Sequence, residues 1–328
     1  MFADRKGVFW VVVLACCVVV APRAQESFEA ARSTAFDQLL DLYVRNGDVY
    51  YRAIKSERAK LDSYVSLLAT ASVDRLSRDE QLAFRLNAYN ALVLRTVVDH
   101  YPILGRASEY PTRSIRQIPG AFERLPHRVA GRTLTLDQIE QTVLSGFHDP
   151  RVYFALGRGA VGSGRLRSEA FTPARLEAQL ADVAAECVTR AQCLTIDREN
   201  GTVGASAIFS WREKEFAAAY PDNAPAAFAA RSPIERAVIA FVLPRLLATE
   251  KEFIAKNTFQ LTYSPFDWTL NDLTGRGTVS MAGQEGRKAE GRQERRGSAI
   301  CLPALPALPP LRPSWPSSPP ALQPSCLI

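Results

Sequence analysis

One stretch of this chain carries both of its boundaries in its residues. Ser77-x-x-Glu80 is the capping-box pattern that opens a helix, and Tyr101-Pro102 ends that helix, because proline cannot continue one. The spacing therefore predicts a long helix from Ser77 to about residue 100. Asn87, Tyr89 and Asn90 fall in its middle, where asparagine is unfavourable because its amide competes with the backbone. Asn87 and Asn90, three residues apart, share one face. Either they hydrogen-bond a neighbouring loop inside a core or they form part of a site.

The segments on either side supply the rest of a fold. Phe28, Phe36, Leu39, Leu40 and Tyr43 recur at helical spacing over 28–46, with Asn46-Gly47 as the stop, and a second helix is expected over 54–70. His127 to Leu136 alternates around Gly131 and reads as a hairpin; Leu136 to Leu144 reads as a short helix. Arg151 to Leu156 is a strand candidate, followed by the glycine-rich run GRGAVGSGRL at 157–166 and by a helix from Thr172-Pro173 to about 190. Leu194–Ile196 and Thr202-Val203 bracket Asn200-Gly201, a hairpin signal. Ser206 opens a helix to about Tyr220, Ser232-Pro233 another to about Leu247, and 258–263 reads as a last strand. No βαβ series alternates along the chain. The expected fold class is α+β, a predominantly helical single domain with a few short strands and hairpins.

Charge separates the two ends from this body. The 328 residues carry a formal net charge of +6. Arg5, Lys6 and Arg23 oppose Asp4 in residues 1–24, and seven Lys/Arg oppose three Glu in 275–328. Residues 25–274 balance to zero, so no nucleic-acid partner is expected. At the N-terminus a basic start precedes 14 uninterrupted apolar residues, Val8 to Ala21, too few for a bilayer-spanning helix and right for an export signal. Cleavage is expected after Ala24. An uncleaved anchor, or a lipid on Cys16, are the alternatives, and a membrane is met only through them. Each places the body outside the cytoplasm, periplasmic or extracellular. The 275–328 segment holds nine of the 21 prolines in its last 28 residues and no apolar periodicity, and is expected to stay without fixed structure.

Chemistry-bearing residues are sparse. Cys16 and Cys17 lie in the signal and Cys301 and Cys326 in the tail, which leaves Cys187 and Cys193 in the body as a candidate local disulfide. His100, His127 and His148 are far apart, so no metal site is expected, and no cofactor is called for. Gly157-Arg-Gly159-Ala-Val-Gly162 matches G-x-G-x-x-G, but the next helix begins only at Pro173, which excludes a dinucleotide loop. The run could still offer backbone N–H groups, with Arg158, Arg165 and Arg167 close by, to a carboxylate or phosphate.

Five blocks in order, LAFRLNAYNALVL (82–94), LDQIEQTVL (136–144), DPRVYFALGRGAVGSGRLR (149–167), SAIFSWREKEF (206–216) and SPFDWTLND (264–272), together resemble the domain-of-unknown-function family 547. The resemblance covers roughly 47–274. It implies an often exported domain whose activity is not established, and a body extending over 25–274. The chain departs from the family pattern in three places. Arg85 stands where the family carries Trp, Gln141 where it carries His in Ile-Glu-His, and Gly157 to Gly164 where it carries Asn-Cys-Gly-Ala-x-Ser-Cys-Pro. A Cys and a His that could serve as nucleophile and base are thus replaced by Ser163 and Gln141, and glutamine accepts no proton at neutral pH. These residues leave two readings. One is a ligand- or partner-binding module whose site comprises Asn87, Tyr89, Asn90, Arg158 and Arg165, backed by Glu140 and Ser163. The other is a hydrolase or transferase with Glu140 as base and Ser163 or water as nucleophile.

Overall fold

The helix bounded by Ser77 and Tyr101 is the axis of the structure. A computed structural model describes residues 23–276 other than Asp222. Apart from Arg23 and Ala24, the expected signal lies outside the described residues, as do the tail beyond Arg276 and Cys16, Cys17, Cys301 and Cys326. In chain order the described elements begin with α1 (Arg23–Tyr43), β1 (Val44–Arg45), β2 (Asp48–Val49), α2 (Tyr51–Ser56), α3 (Ala59–Thr70) and α4 (Arg78–His100). Next come β3 (His127–Val129), β4 (Arg132–Leu134), α5 (Leu136–Gln138), α6 (Leu176–Val188), β5 (Leu194–Asp197) and β6 (Thr202–Ser206). The series ends with α7 (Ala207–Trp211), α8 (Glu213–Ala219), α9 (Pro233–Val242), α10 (Ala248–Ala255), β7 (Gln260–Ser264) and α11 (Leu273–Arg276). The fold is α+β, predominantly helical with a few short strands in small sheets.

Ser77 and Glu80 form the expected capping box on α4. Every residue from Leu82 to Leu94 is buried, which means that α4 is packed on all sides rather than along one stripe. One hydrophobic core surrounds it, continuous from Phe36 in α1 to Phe241 in α9. Phe154, Phe209, Phe216 and Phe241 form an aromatic cluster with ring centroids 4.7–6.0 Å apart.

The sheets are small. β1–β2 and β3–β4 are antiparallel hairpins, while β5–β6–β7 form a three-stranded sheet in which β6 and β7 run parallel. The last segment returns to the start of the fold. Asp272 bridges to Val49, and Tyr51 Oη donates to Asn271 Oδ1 at 2.7 Å.

Several expected boundaries move for local reasons. Asn46 and Gly47 do not stop a helix. Both have positive φ (53° and 87°) and form the turn between β1 and β2, after α1 has ended at Tyr43. The helix expected over 54–70 is two helices broken at Glu57 and Arg58. Residues 139–144 widen from α to π geometry. The strand expected at 151–156 is a 3-10 helix, Pro150–Phe154, because Asp149 caps it through Arg151 N–H and Pro150 fixes its first turn. The helix from Ser206 breaks at Arg212, and α9 stops at Val242 just before Pro244.

Cys187, at the end of α6, and Cys193, just before β5, stand at disulfide distance with their Cα atoms 5.2 Å apart. Among the described residues no helix is long and apolar enough to cross a membrane, and no group of His, Cys, Asp and Glu is placed to hold a metal ion.

Candidate functional site

The two asparagines of α4 each bind two backbone groups of one neighbouring segment. Asn87 Nδ2 donates to Phe171 O at 2.8 Å and its Oδ1 accepts from Phe171 N at 2.9 Å. Asn90 Nδ2 donates to Ala155 O at 3.1 Å and its Oδ1 accepts from Gly157 N at 2.8 Å. An asparagine amide presents the same donor and acceptor as a peptide, so each side chain pairs with a loop as a strand would. Their spacing of three sews two successive pieces of the 155–171 connection onto one helix face.

Six N–H groups of the glycine-rich loop have partners within the fold. Gly157 N–H goes to Asn90, Arg158 N–H to Ser163 Oγ at 3.0 Å, Gly159 N–H to Gly157 O, and Ser163 N–H to Ala160 O. Val161 N–H and Gly162 N–H reach across to Thr269 O and Asp267 O at 2.9 and 2.8 Å. The expectation that these groups cradle an anion is therefore corrected: they are paired inside the fold, and those of Val161 and Gly162 hold the returning 267–270 segment. Two glycines are there for room. A Cβ on Gly162 would lie 2.7 Å from Asp267 N, and one on Gly164 would collide with Phe154 O.

Glu140 and Arg158 meet beneath this loop. Arg158 Nη2 lies 2.7 Å from Glu140 Oε1 and its Nε 3.1 Å from Oε2. Arg212 Nη2 adds 2.6 Å to Oε1, and Tyr89 Oη donates to Oε2 at 3.2 Å. Both carboxylate oxygens thus carry two donors, which fills their acceptor sites. Arg158 gives a further bond from Nη1 to Tyr153 O at 3.0 Å. Burial pushes the Glu140 carboxyl up, but Arg158 and then Arg212 outweigh it and hold the group down at about 2. The carboxylate is ionised, enclosed and saturated, which is the opposite of a poised base.

Ser163 is equally enclosed. It is buried, its Oγ accepts from Arg158 N–H, and the cavity beside it measures about 10 Å3, at the lower limit for one water. Arg158 stands between Ser163 and Glu140, with its backbone toward one and its guanidinium toward the other. The structure brings together Tyr89, Glu140, Arg158 and Ser163, joins Asn90 to them through Gly157, and places Asn87 one turn away on Phe171. Arg165 is apart from them, on the outside, where its Nη2 bonds Asn46 Oδ1 at 2.7 Å.

Sequence reasoning misses Arg212, whose guanidinium lies 4.6 Å over the Tyr153 ring while it pairs with Glu140. Its signal lies in the 206–216 block. Asp137 reads in the sequence only as a helix-start residue. Its carboxyl is pushed up to about 6, first by burial and then by Glu123 and Glu140.

Open cavities lie elsewhere, around the 143–151 turn. One of about 390 Å3 is lined by Arg78, Leu82, His148, Arg151, Tyr220 and Arg245, among others. A second, of about 350 Å3, adjoins it at His148, Asp149, Pro150 and Ala219. On the other side of Arg78 a third, of about 420 Å3, is walled by Gln81, Arg85, Val143, Gly146 and Phe147. The first and third, both lined by Arg78, form a groove between α4 and the 143–151 turn, while the second lies between that turn and α8.

The architecture defines an α+β domain built around a helix buried along most of its length, with polar core residues engaged as clamps. Residues 73–188, from the approach to α4 through α6, match the model of the family described as "Protein of unknown function, DUF547", and this segment belongs to that family. The match contains Asn87, Asn90, Glu140, Arg158 and Ser163 and stops short of Arg212 and the 264–272 segment. No curated protein and no solved structure matches the chain.

Proposed function

We propose that the chain is an exported binding module that takes its ligand in the groove between α4 and the 143–151 turn. The observation that carries this reading is the state of Glu140. Four donors occupy its two oxygens, and its carboxyl is held at about 2. A hydrolase or transferase working through Glu140 needs a carboxylate able to accept a proton near pH 7, with an approach to Ser163 or to a water. Here the approach is filled by Arg158. The clamp supports a structural task instead: it fixes the glycine-rich loop, which holds the 267–270 segment. Disulfide distance between Cys187 and Cys193 supports an oxidising location, in keeping with the apolar N-terminal run.

Purified full-length protein, assayed with chromogenic ester, amide, phosphate and glycoside substrates beside its Ser163→Ala and Glu140→Gln variants, tests the reading. The expected result is no turnover that depends on either residue. Turnover abolished by Ser163→Ala, in a variant that keeps the parent's melting temperature, would overturn it.

A further inference from the structure

Arg85 is a buried cation without an anion. It sits near the start of α4's buried stretch with only 7% of its surface exposed. No carboxylate among the described residues lies within ion-pair distance of it, and its Nη1 is buried with no hydrogen-bond partner. Its guanidinium rests 5.5 Å from the Phe84 ring. Burial lowers its affinity for its proton, Arg132 lowers it further, and Asp74 opposes them. Other buried arginines in this protein are treated differently: Arg158 has Glu140 and a carbonyl. A buried charge is ordinarily paired, because an unpaired one is costly to desolvate.

The third cavity of the groove supplies the place for a partner. Its lining includes Arg78, Gln81 and Arg85 and no Asp or Glu. Arg78 already points its Nη2 to Phe147 O at 2.6 Å, which holds its guanidinium over this wall. Gln81 uses its Nε2 on Leu76 O. Val143 and Phe147 form an apolar side. At about 420 Å3 the space exceeds what a bare oxyanion needs and admits an apolar body attached to one.

We infer that Arg85 anchors the carboxylate or phosphate group of a small organic anion in this cavity, with Arg78 as a second cation and Val143 and Phe147 against the ligand's apolar part. The inference rests on the binding-module reading and gives its groove a ligand class. Arginine suits the role because its planar fork meets two oxygens at once, and both its donors and its charge are otherwise unanswered here.

Calorimetric titration of the full chain with benzoate, phenyl phosphate and the neutral isostere benzamide tests it. At least one anion is expected to bind saturably at millimolar concentration or below, and benzamide is not. Arg85→Met, which preserves length and apolar packing against Phe84, should weaken the anion by about 10- to 100-fold, the range of a charge-assisted bond. Arg78→Met, on the exposed side and with no core to disturb, should weaken it less. Failure of both anions to bind by about 10 mM, equal binding of benzamide, or undiminished binding by folded Arg85→Met overturns the site. Should Arg85→Met not fold, undiminished binding by Arg78→Met does the same. These outcomes are separate from the turnover assay: loss of the anion site without turnover removes only the ligand class, and Ser163-dependent turnover removes the binding module itself.

Discussion

Arg158 and Glu140 are joined at two points, Nη2 to Oε1 at 2.7 Å and Nε to Oε2 at 3.1 Å, with side chains 3% and 7% exposed. By residue type alone Arg158 is a ligand contact and Glu140 a base. Their mutual burial gives both a structural role and changes what their substitution should do. Arg158→Ala would expose no vacant ligand site; it would leave Glu140 short of its principal partner.

Glu140→Gln is accordingly expected to destabilise the fold by about 3–5 kcal/mol, since Arg158 and Arg212 would be left buried and undercompensated. Arg158→Met should cost a similar amount. The double variant should cost less than the two singles together, by about 1 kcal/mol or more, because the residues are in direct contact. Urea denaturation of the four proteins measures this, and additive losses would contradict the clamp.

The asparagine clamps make a second prediction. Asn87→Ala removes two hydrogen bonds and leaves the buried N–H and C=O of Phe171 unpaired, a loss of about 2–4 kcal/mol. Asn90→Ala should act alike through Ala155 and Gly157. A change of under about 0.5 kcal/mol in either variant, the scale of an ordinary surface substitution, would show that the segments do not depend on α4.

Much of this frame is legible in the sequence, and the reasons for the rest are specific. Ser77 and Glu80 announce α4 because a capping box is a local interaction. Asn46-Gly47 is ambiguous between helix stop and hairpin turn because both use positive φ. The 3-10 helix after Asp149 is hidden by an apolar run that also suits a strand. The glycine-rich run misleads most. Two of its N–H groups, those of Val161 and Gly162, go to Thr269 and Asp267, about a hundred positions later, and no local pattern reveals a partner so distant. Tyr89, Glu140, Arg158 and Ser163 do meet, but burial reverses the chemistry their residue types suggest.

Two half-buried titratable groups contribute to the response to mild acid with opposite signs. His127 is pushed down to about 4, mainly by burial, so the unfolded chain binds its proton more readily and stability falls as pH drops from about 6.5 to 4. Asp137 is pushed up to about 6, so the folded state holds its proton more tightly and stability falls as pH rises from about 4 to 6. Asp137→Asn should therefore stabilise the protein at pH 7 and lose that advantage below pH 4. His127→Gln should flatten the loss between pH 6.5 and 4. Melting temperatures across this range check both, and a matching slope in parent and variant would refute the assignment concerned.

For Cys187 and Cys193, export should yield one intramolecular bridge, read as the loss of two hydrogens by mass spectrometry and as resistance to alkylation before reduction. The enclosed loop is short, so chain entropy places the stabilisation at about 2 kcal/mol. Two alkylatable thiols in protein recovered from an oxidising compartment would contradict the pairing.

Glu140 is an ionised clamp rather than a proton acceptor in waiting. The direct measurement is an NMR titration of the Glu140 side-chain carboxyl carbon, assigned by comparison with Glu140→Gln, between pH 8 and pH 4. With a carboxyl held at about 2, the resonance should stay at its ionised position across the whole range. A titration midpoint between pH 5 and 8 would contradict the account and restore Glu140 as a candidate general base.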